Sequence, residues 1–249
     1  MDDYLVLRLD APLMSFGGVR VDHWGRTRDF PGLAMLTGLI GNALGYEHRQ
    51  ARELQRLQDR LFYGVRQDRC GEHLVDFQTV DLGQPFLLEG WTSRGVKESR
   101  AGGTAKVGTH IRYREYLADA VYTVALTLKP PGEAPDLEAV RSALEFPARP
   151  LFLGRKPCLP SAPLLVGTLR AGSMLDALRR APTATVAGRE PDRLDVTAWW
   201  SAVEQTEMPA AHVLSITDER DWVNQIHVGR RRVYSMRIVL EGAEHGTRS

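Results

Sequence analysis

The order of the predicted secondary-structure elements indicates an α+β fold. Residues Tyr4–Asp10 alternate between apolar and polar side chains, which is typical of a half-buried strand. Two helical patterns and further strands follow, and the succession of strand, helix and strand recurs over residues 120–169. An order β-α-β…β-α-β is typical of a ferredoxin-like sheet that carries its helices on one face.

The first sixty residues contain the clearest elements. After the first strand, Ala11–Phe30 is a long connection rich in glycine and arginine, and loops of this length are usually functional. Pro31 occupies a position where a helix can begin, and Gly45 can end that helix. Gln50–Leu61 then places its leucines on one stripe of a second helix.

The rest of the chain predicts further strands and two more helices. In the middle of the chain the strands are Phe62–Arg69, Leu74–Val80, Ala120–Lys129 and Leu164–Leu169, and the helix is Pro135–Leu144. In the last third the patterns are weaker and predict a helix at Met174–Arg180 and strands at Val213–Thr217 and Arg232–Leu240.

Composition excludes several classes of protein. The chain has 249 residues, of which 43% are hydrophobic and 25% charged, so it is not a disordered chain. Its net charge of +1 gives no indication of a nucleic-acid or membrane partner. Because we find neither an apolar run of about 18 residues nor a signal peptide, we expect a cytoplasmic protein without a membrane segment. Cys70 and Cys158 form no ligand motif, and we expect no metal and no cofactor.

One segment, Trp91–Arg114, is strongly basic. It contains a single acid, Glu98, and its basic residues are Arg94, Lys97, Arg100, Lys106, Arg112 and Arg114. The segment is too rich in glycine and charge to bury a core of its own. A protruding hairpin with positive sides would fit this composition and could bind an extended polyanion. The alternative interpretation is a solvated insertion without a function.

Two shorter basic clusters are candidates for phosphate binding. Arg155 and Lys156 lie between Gly154 and Pro157, where a turn leaves backbone N–H groups free to meet phosphate. The second cluster, Arg230–Arg232, opens the last predicted strand, so that its neighbouring side chains point to opposite faces. Solvated charge is the alternative for both clusters. The excess of 28 arginines over 4 lysines indicates nothing by itself, because codon bias also produces it.

The sequence contains no familiar catalytic motif. A Walker-type phosphate loop, GxSxG and HExxH are all absent. His110 is the candidate for catalysis, because it lies in the basic segment near Lys106 and Tyr113. These are residue types with which a metal-free ribonuclease can supply acid, base and phosphate stabilisation. A solvated or structural histidine is the alternative.

Five segments, taken in order, resemble the CasD family, the RAMP-superfamily subunit of the type I-E CRISPR Cascade complex. They are residues 4–9 with Pro12, Phe16-Gly17, Asp29-Phe30-Pro31 leading into residues 39–45, residues 113–120, and Phe152-Leu153-Gly154-Arg155-Lys156-Pro157-Cys158. Each segment is modest, but the ordered set is specific.

The resemblance implies a fold and a function. The implied fold is a modified ferredoxin-like core of the RRM/RAMP type at residues 1–170, with a β-hairpin thumb inserted at about 84–112. A β-rich C-terminal extension at residues 171–249 would pack on this core. The implied function is that of a non-catalytic CRISPR RNA-binding subunit in antiviral defence. Such a subunit grips the 5′ handle of the CRISPR RNA, contacts the adjacent backbone subunit and the large subunit, and meets target DNA only through the complex.

The resemblance also implies roles for particular residues. The expected thumb contacts to RNA are Arg94, Lys97, Arg100 and Lys106. The expected lining of the handle site is Phe16, Gly17, Arg26, Arg28, Arg155 and Lys156. Gly32 departs from the family pattern, which commonly has a small hydroxyl residue after the proline. The expected thumb tip, Ala101–Gly103, has no bulky wedge, so that an intercalating side chain would be Trp91, Val96 or Val107.

Two other functions stay open at this point. A metal-independent endoribonuclease that processes CRISPR repeat RNA would use His110, Lys106 and Tyr113. A scaffold would direct its basic residues at protein carboxylates rather than at RNA. The resemblance favours the binding subunit, because type I-E systems have a separate ribonuclease.

Overall fold

The computed structural model describes residues 1–18, 23–81, 89–91, 96–99, 109–184, 193–202 and 210–241. Within these ranges the helices are α1 (Leu33–Ala43), α2 (Ala51–Arg60), α3 (Leu137–Glu145) and α4 (Met174–Arg180). The strands up to residue 118 are β1 (Asp2–Asp10), β2 (Leu13–Met14), β3 (Trp24–Gly25), β4 (Leu61–Arg69), β5 (Glu72–Asp81), β6 (Glu89–Trp91), β7 (Lys97–Ser99) and β8 (Thr109–Ala118). The later strands are β9 (Val121–Leu128), β10 (Leu165–Ala171), β11 (Arg193–Ser201), β12 (His212–Ile216), β13 (Glu219–Asp221), β14 (Ile226–Val228) and β15 (Arg231–Glu241).

The main sheet has seven strands in the order β10-β1-β9-β4-β11-β15-β12. Each strand in it is antiparallel to its neighbours. The first four positions combine β1, α1 and β4 with β9, α3 and β10, so that two strand–helix–strand units interleave. The last three positions extend the same sheet with strands from the C-terminal part of the chain. The predicted α+β class is confirmed.

Helices cover both faces of this sheet, which corrects the prediction of helices on one face. On the first face Leu5, Leu7 and Leu9 of β1 pack in one core cluster with α1 and α3. On the opposite face Tyr4 of β1 packs in a second cluster with Met174 and other residues of α4. α4 has only seven residues, so its sequence pattern did not show which face of the main sheet the helix covers.

A buried ion pair holds α4 on its face. Arg66 and Asp68 of β4 are both fully buried, and Arg66 Nε donates to Asp68 Oδ1 at 2.5 Å. Arg66 also donates to the carbonyl oxygens of Leu178 and Ala181. These oxygens lie at the C-terminal end of α4, where carbonyl groups have no hydrogen-bond partner within the helix. The network therefore satisfies the C-terminal end of α4 and joins it to the sheet. Thr123 of β9 donates to Asp68 at 2.7 Å and extends the network to the next strand.

The connection Ala11–Phe30 and the basic segment meet in a second sheet. β5 and β8 pair over ten positions, from Glu72 opposite Ala118 to Asp81 opposite Thr109. On its other side β8 pairs with the short strands β2 and β3. We call the β5–β8 pair the ribbon. Its second strand begins at Thr109, inside the segment Trp91–Arg114 for which the sequence analysis expected a protruding hairpin.

Beyond the ribbon, β6 pairs with β7, with Glu89 opposite Ser99 and Trp91 opposite Lys97. The segment that joins these two strands is residues 92–96. Ala101–Gly103, which the sequence analysis expected at the hairpin tip, comes after β7 and lies outside the described residues.

Most other element bounds agree with the sequence prediction within about two residues, but β11 was not predicted. Leu194, Val196, Ala198 and Trp200 alternate with Asp195 and Thr197, and only Trp199 interrupts the pattern, so the sequence held a strand signal that the prediction did not use. The short hairpin β13–β14 was missed as well. Among the helices of the described residues, none combines the length and the apolar composition that crossing a membrane requires.

We predict that Arg66→Ala lowers the free energy of unfolding by about 3–5 kcal/mol, because it leaves the carboxylate of Asp68 buried without its main cation. The measurement is urea denaturation at neutral pH. Arg237→Ala is the matched control, since the Arg237 side chain is 75% exposed in its pair with Asp195 and should cost at most about 1 kcal/mol. Equal losses for the two variants would contradict this account of the network.

Candidate nucleic-acid interface

A groove of about 800 Å³ runs along the exposed side of α1. Ala34, Gly38 and Asn42 lie on its floor at a spacing of four residues, and therefore on one face of the helix. A β-carbon on Gly38 would lie 3.7 Å from the Trp222 ring, which is an ordinary van der Waals distance. Small floor residues let a ligand approach the helix closely.

The first wall of the groove is made of two loops that pack on one another. One loop contributes Ser15–Gly18 and the other contributes Phe152, Gly154 and Arg155. Gly154 has φ +95°, and a β-carbon there would lie 1.7 Å from the Ser15 carbonyl oxygen. Ser15 N donates to Leu153 O at 3.2 Å across the same contact. Only glycine allows this approach, and the approach places Arg155 in the groove.

The second wall comes from the β13–β14 hairpin, which contributes Arg220, Trp222 and His227. Gln58 of α2 is buried and holds this hairpin in place. Its Nε2 donates to Arg220 O at 2.9 Å, and its Oε1 accepts from Trp222 Nε1 at 3.0 Å. The rest of the lining includes Tyr46, Glu47, His48 and Arg149.

Four arginines line the groove, and backbone or amide oxygens hold each of them. Arg28 donates to Thr217 O, Arg149 to Gly45 O and Tyr46 O, Arg155 to Gly25 O and Glu115 O, and Arg220 to Gln225 Oε1. Because a guanidinium has five N–H donors, each of these side chains is oriented and still has donors left for an anion. Fixed cations of this kind suit phosphate oxygens.

Two carboxylates also line the groove, and both have basic partners. Glu47 lies 2.6 Å from Arg49. Asp218 is buried and pairs with Arg231, whose Nε and Nη2 each lie 2.8 Å from an Asp218 oxygen. The arginines of the groove therefore outnumber its acids, and its field favours an anion.

Asp218 supplies the cap that α1 lacks. The residue before the helix is Gly32, which has no side-chain oxygen, and the Leu33 N–H donates to Asp218 Oδ2 at 2.8 Å. A β-carbon on Gly32 would lie 3.1 Å from the Asp218 β-carbon, closer than most β-carbon contacts. The departure from the family pattern at residue 32 is thus explained, since the carboxylate occupies the space and the capping role of a hydroxyl there.

The surroundings of Asp218 lower the pKa of its carboxyl. Burial raises this pKa, but the hydrogen bonds and charge of Arg231, the Leu33 N–H and the charge of Arg28 outweigh burial. Burial also raises the pKa of the Tyr63 hydroxyl, which therefore stays protonated beside Asp218. The capping carboxylate is therefore ionised at neutral pH.

We predict that Asp218→Ala lowers the free energy of unfolding by about 3–5 kcal/mol at pH 7, because it leaves the buried Arg231 unpaired. Since the folded pKa is below the unfolded one, the contribution of Asp218 is complete above the ordinary aspartate pKa. It disappears as the pH falls through the folded pKa. Urea denaturation of the wild type and the variant from pH 7 to pH 2 measures this convergence.

The control for this prediction is Asp3→Ala, which removes an exposed carboxylate paired with Arg170. Its effect at pH 7 should be much smaller than that of Asp218→Ala. A difference between the Asp218 variant and the wild type that stays constant down to pH 2 would contradict the capping role.

The groove brings together several residues that the sequence analysis expected in the handle site. Gly17, Arg28 and Arg155 all line it, and Lys156 is exposed on the same turn as Arg155. Phe16 also belongs to the lining, but its ring is 4% exposed and packs edge-on against Tyr122. This ring is a core residue, so in this conformation it offers no stacking face to a base.

The other expected residues lie elsewhere. Arg26 is 64% exposed beside the ribbon, with its guanidinium 5.8 Å from the Trp24 ring centroid. Arg94, Arg100, Lys106 and Val107 lie outside the described residues. Trp91 and Lys97 are paired in the backbone register of β6 and β7, and Val96 precedes β7 and is exposed. The basic cluster at 230–232 is divided, since Arg231 is buried in its pair with Asp218.

The two described residues of the ribonuclease hypothesis do not converge. His110 and Tyr113 both lie on β8, and their odd separation puts their side chains on opposite faces. Tyr113 stacks on Trp24, whereas His110 pairs with Val80 across the ribbon. Lys106 lies outside the described residues. The described geometry therefore does not assemble the acid and base that the hypothesis needs.

Sequence reasoning missed several groove residues, namely Tyr46, His48, Arg149, Asp218, Arg220, Trp222 and His227. They occur singly in segments without a recognisable motif. Their common property is tertiary, because α1 collects them from loops far away in sequence. The hairpin that carries Arg220 and Trp222 contains one signal that could have been used, an Asp-Trp-Val-Asn-Gln turn after two charged residues.

Known structures share this architecture. A chain of a CRISPR RNA-guided surveillance complex has a TM-score of 0.69, with 24% identity over 96% of this chain and 91% of that chain. A crystal structure of a Cas protein has a TM-score of 0.60, with 27% identity over 96% of this chain and 95% of that chain. The fold is thus the one found in RAMP-type Cas proteins.

Sequence comparison identifies the family. The sequence model of the CRISPR-associated Cas5 proteins matches residues 4–234, and the chain belongs to this family. The Cascade subunit CasD of Escherichia coli (strain K12) is 33% identical over 178 residues, which cover 72% of this chain and 76% of that protein. The resemblance to the CasD family that the sequence analysis stated is confirmed.

Proposed function

We propose that this chain is a non-catalytic CRISPR RNA-binding subunit of a type I-E Cascade complex and grips the 5′ handle of the CRISPR RNA. The observation that carries the proposal is the groove along α1, with its small-residue floor and four oriented arginines. Family membership and the relationship to a Cascade subunit support the same function.

The geometry favours a single strand rather than a duplex as the ligand. The groove is a concave channel beside one helix, and Tyr46 and Phe152 are partly exposed aromatic residues of its lining. Basic grooves with aromatic side chains are typical of proteins that bind single-stranded nucleic acid. The floor residues leave room for unpaired bases, and the arginines can bind the phosphates on either side.

RRM proteins bind RNA on one face of their sheet. In this chain the RNA would not lie on a face of the main sheet. α4 and the buried Arg66–Asp68 pair cover one face, and α1 and α3 cover the other. We therefore propose a modified ferredoxin-like core in which β10-β1-β9-β4 is the RRM-derived part of the sheet. Binding has moved from this sheet to the groove and to the ribbon.

The ribbon and the β6–β7 pair form the proposed thumb, which extends from the second sheet. Its basic residues Arg94, Lys97, Arg100 and Lys106 would bind RNA where the handle becomes guide. The adjacent backbone subunit and the large subunit of the complex are the proposed protein partners. No catalytic step is proposed, since the geometry of His110 and Tyr113 gives no support to cleavage.

We predict that the affinity of the full chain for single-stranded CRISPR repeat RNA falls linearly in a plot of log K against log salt. The slope should be about −0.7 for each phosphate contacted. Arg28→Ala and Lys156→Ala should each make the slope shallower by about 0.7, because each removes one phosphate contact. Fluorescence anisotropy at several salt concentrations measures both quantities.

Arg170→Ala is the charge-matched control, since Arg170 is exposed at the β10 edge in its pair with Asp3. Its affinity and slope should equal those of the wild type. Melting curves check that Arg28→Ala keeps its fold, because Arg28 also bonds to Thr217. A flat salt response of the wild type, or equal effects of all three variants, would favour the scaffold over the RNA-binding subunit.

A further inference from the structure

A row of aromatic rings crosses three strands of the second sheet, outside the groove. Trp24 of β3 and Phe77 of β5 both pair with Tyr113 of β8. The Trp24 and Tyr113 rings stack with their centroids 4.5 Å apart, and Phe77 meets Tyr113 edge-on at 5.6 Å. Because paired residues of neighbouring strands point to the same face, the three rings form one continuous surface.

This surface is unusually exposed for its composition. The Phe77 side chain is 55% exposed, and its neighbours on the same face, Val75 and Ile111, are 52% and 39% exposed. Packing in the core therefore does not account for a phenylalanine at this position. Contiguous exposed apolar side chains commonly mark a binding surface.

The chemistry of the row favours a nucleobase as the occupant. Aromatic rings stack on bases of any sequence, because every base has a π-face. The Arg26 guanidinium lies beside the Trp24 ring, 3.6 Å from a Glu115 oxygen, and is 64% exposed. Since a guanidinium has five N–H donors, Arg26 keeps donors for the phosphate next to a stacked base. An apolar protein surface would use the aliphatic neighbours equally and would need neither the planar rings nor the cation.

The row is also continuous with the groove. Trp24, Arg26 and Arg28 follow one another at alternate positions, and Arg28 lines the groove. Four residues of extended chain span at most about 14 Å. Gly25, between them, accepts a hydrogen bond from Arg155 Nη2 at 2.8 Å, which ties this short segment to the groove wall. A single strand of RNA that leaves the groove at Arg28 can therefore pass Arg26 and reach the three aromatic rings.

We propose that Trp24, Tyr113 and Phe77 form a stacking platform for an unstacked base of single-stranded RNA as the strand leaves the groove. This inference rests on the proposed function and adds a second contact surface to it. Phe77 supplies the exposed end of the platform. Trp24 and Tyr113 fix the orientation of that end.

The test uses the full chain and single-stranded CRISPR repeat RNA in which 2-aminopurine replaces one base at a time. Binding to the wild type should quench the fluorescence of at least one 2-aminopurine, because stacking on an aromatic ring quenches it. Phe77→Ala should abolish that quenching and weaken the affinity about five-fold or more. Phe77→Leu should do the same, whereas Phe77→Tyr should retain both signals.

Val75→Ala is the matched control, because it removes an equally exposed side chain from the same face without removing a ring. Its affinity should stay within two-fold of the wild type. If Phe77→Ala keeps the quenching and the affinity while the salt slope still depends on Arg28, the platform is wrong and the proposed function stands. If Phe77→Leu binds as well as the wild type, the surface is an apolar docking site rather than a stacking platform. If the wild type fails to bind the RNA at all, both proposals fail.

Discussion

The N-terminus of α1 depends on a carboxylate from a distant part of the chain. Asp218 lies 185 residues after Leu33, to which it is hydrogen-bonded, and is held in turn by Arg231 at the start of β15. This contact joins the C-terminal strands to the first helix. Since the groove lies between that helix and the β13–β14 hairpin, the contact also sets the distance between the floor and one wall.

A second buried ion pair satisfies a helix end on the other face of the main sheet. Arg66 uses its charge to neutralise Asp68 and its remaining donors to end α4. An intact buried ion pair contributes little net stability, but removing one partner is costly because it leaves the other charge buried and unpaired. Two such pairs fix the two covered faces of the sheet, so anion binding is left to loops, the groove and the ribbon.

The sequence predicts most elements that have a clear local pattern. It misses residues whose position depends on contacts between distant parts of the chain. β1 alternates cleanly, and composition marked the long loop Ala11–Phe30 as functional. The family resemblance then assigned Gly17, Arg28 and Arg155 to the handle site, and all three line the groove. β11 was missed although its apolar and polar residues alternate as far as Trp199. β8 was not among the predicted strands, because its first residues belong to the basic segment, which the composition assigned to a protruding hairpin. Arg220 and Trp222 could not be placed, because only the hydrogen bonds to Gln58 bring their hairpin to α1.

The central claim is that the groove along α1 holds single-stranded RNA. The most direct measurement is ultraviolet crosslinking of the full chain to CRISPR repeat RNA, followed by mass-spectrometric mapping of the crosslinked peptides. The account predicts crosslinks in peptides that contain Tyr46, Phe152 or Trp222, around the groove. Crosslinks confined to peptides of α3 or of the β10 edge, with none around the groove, would contradict it.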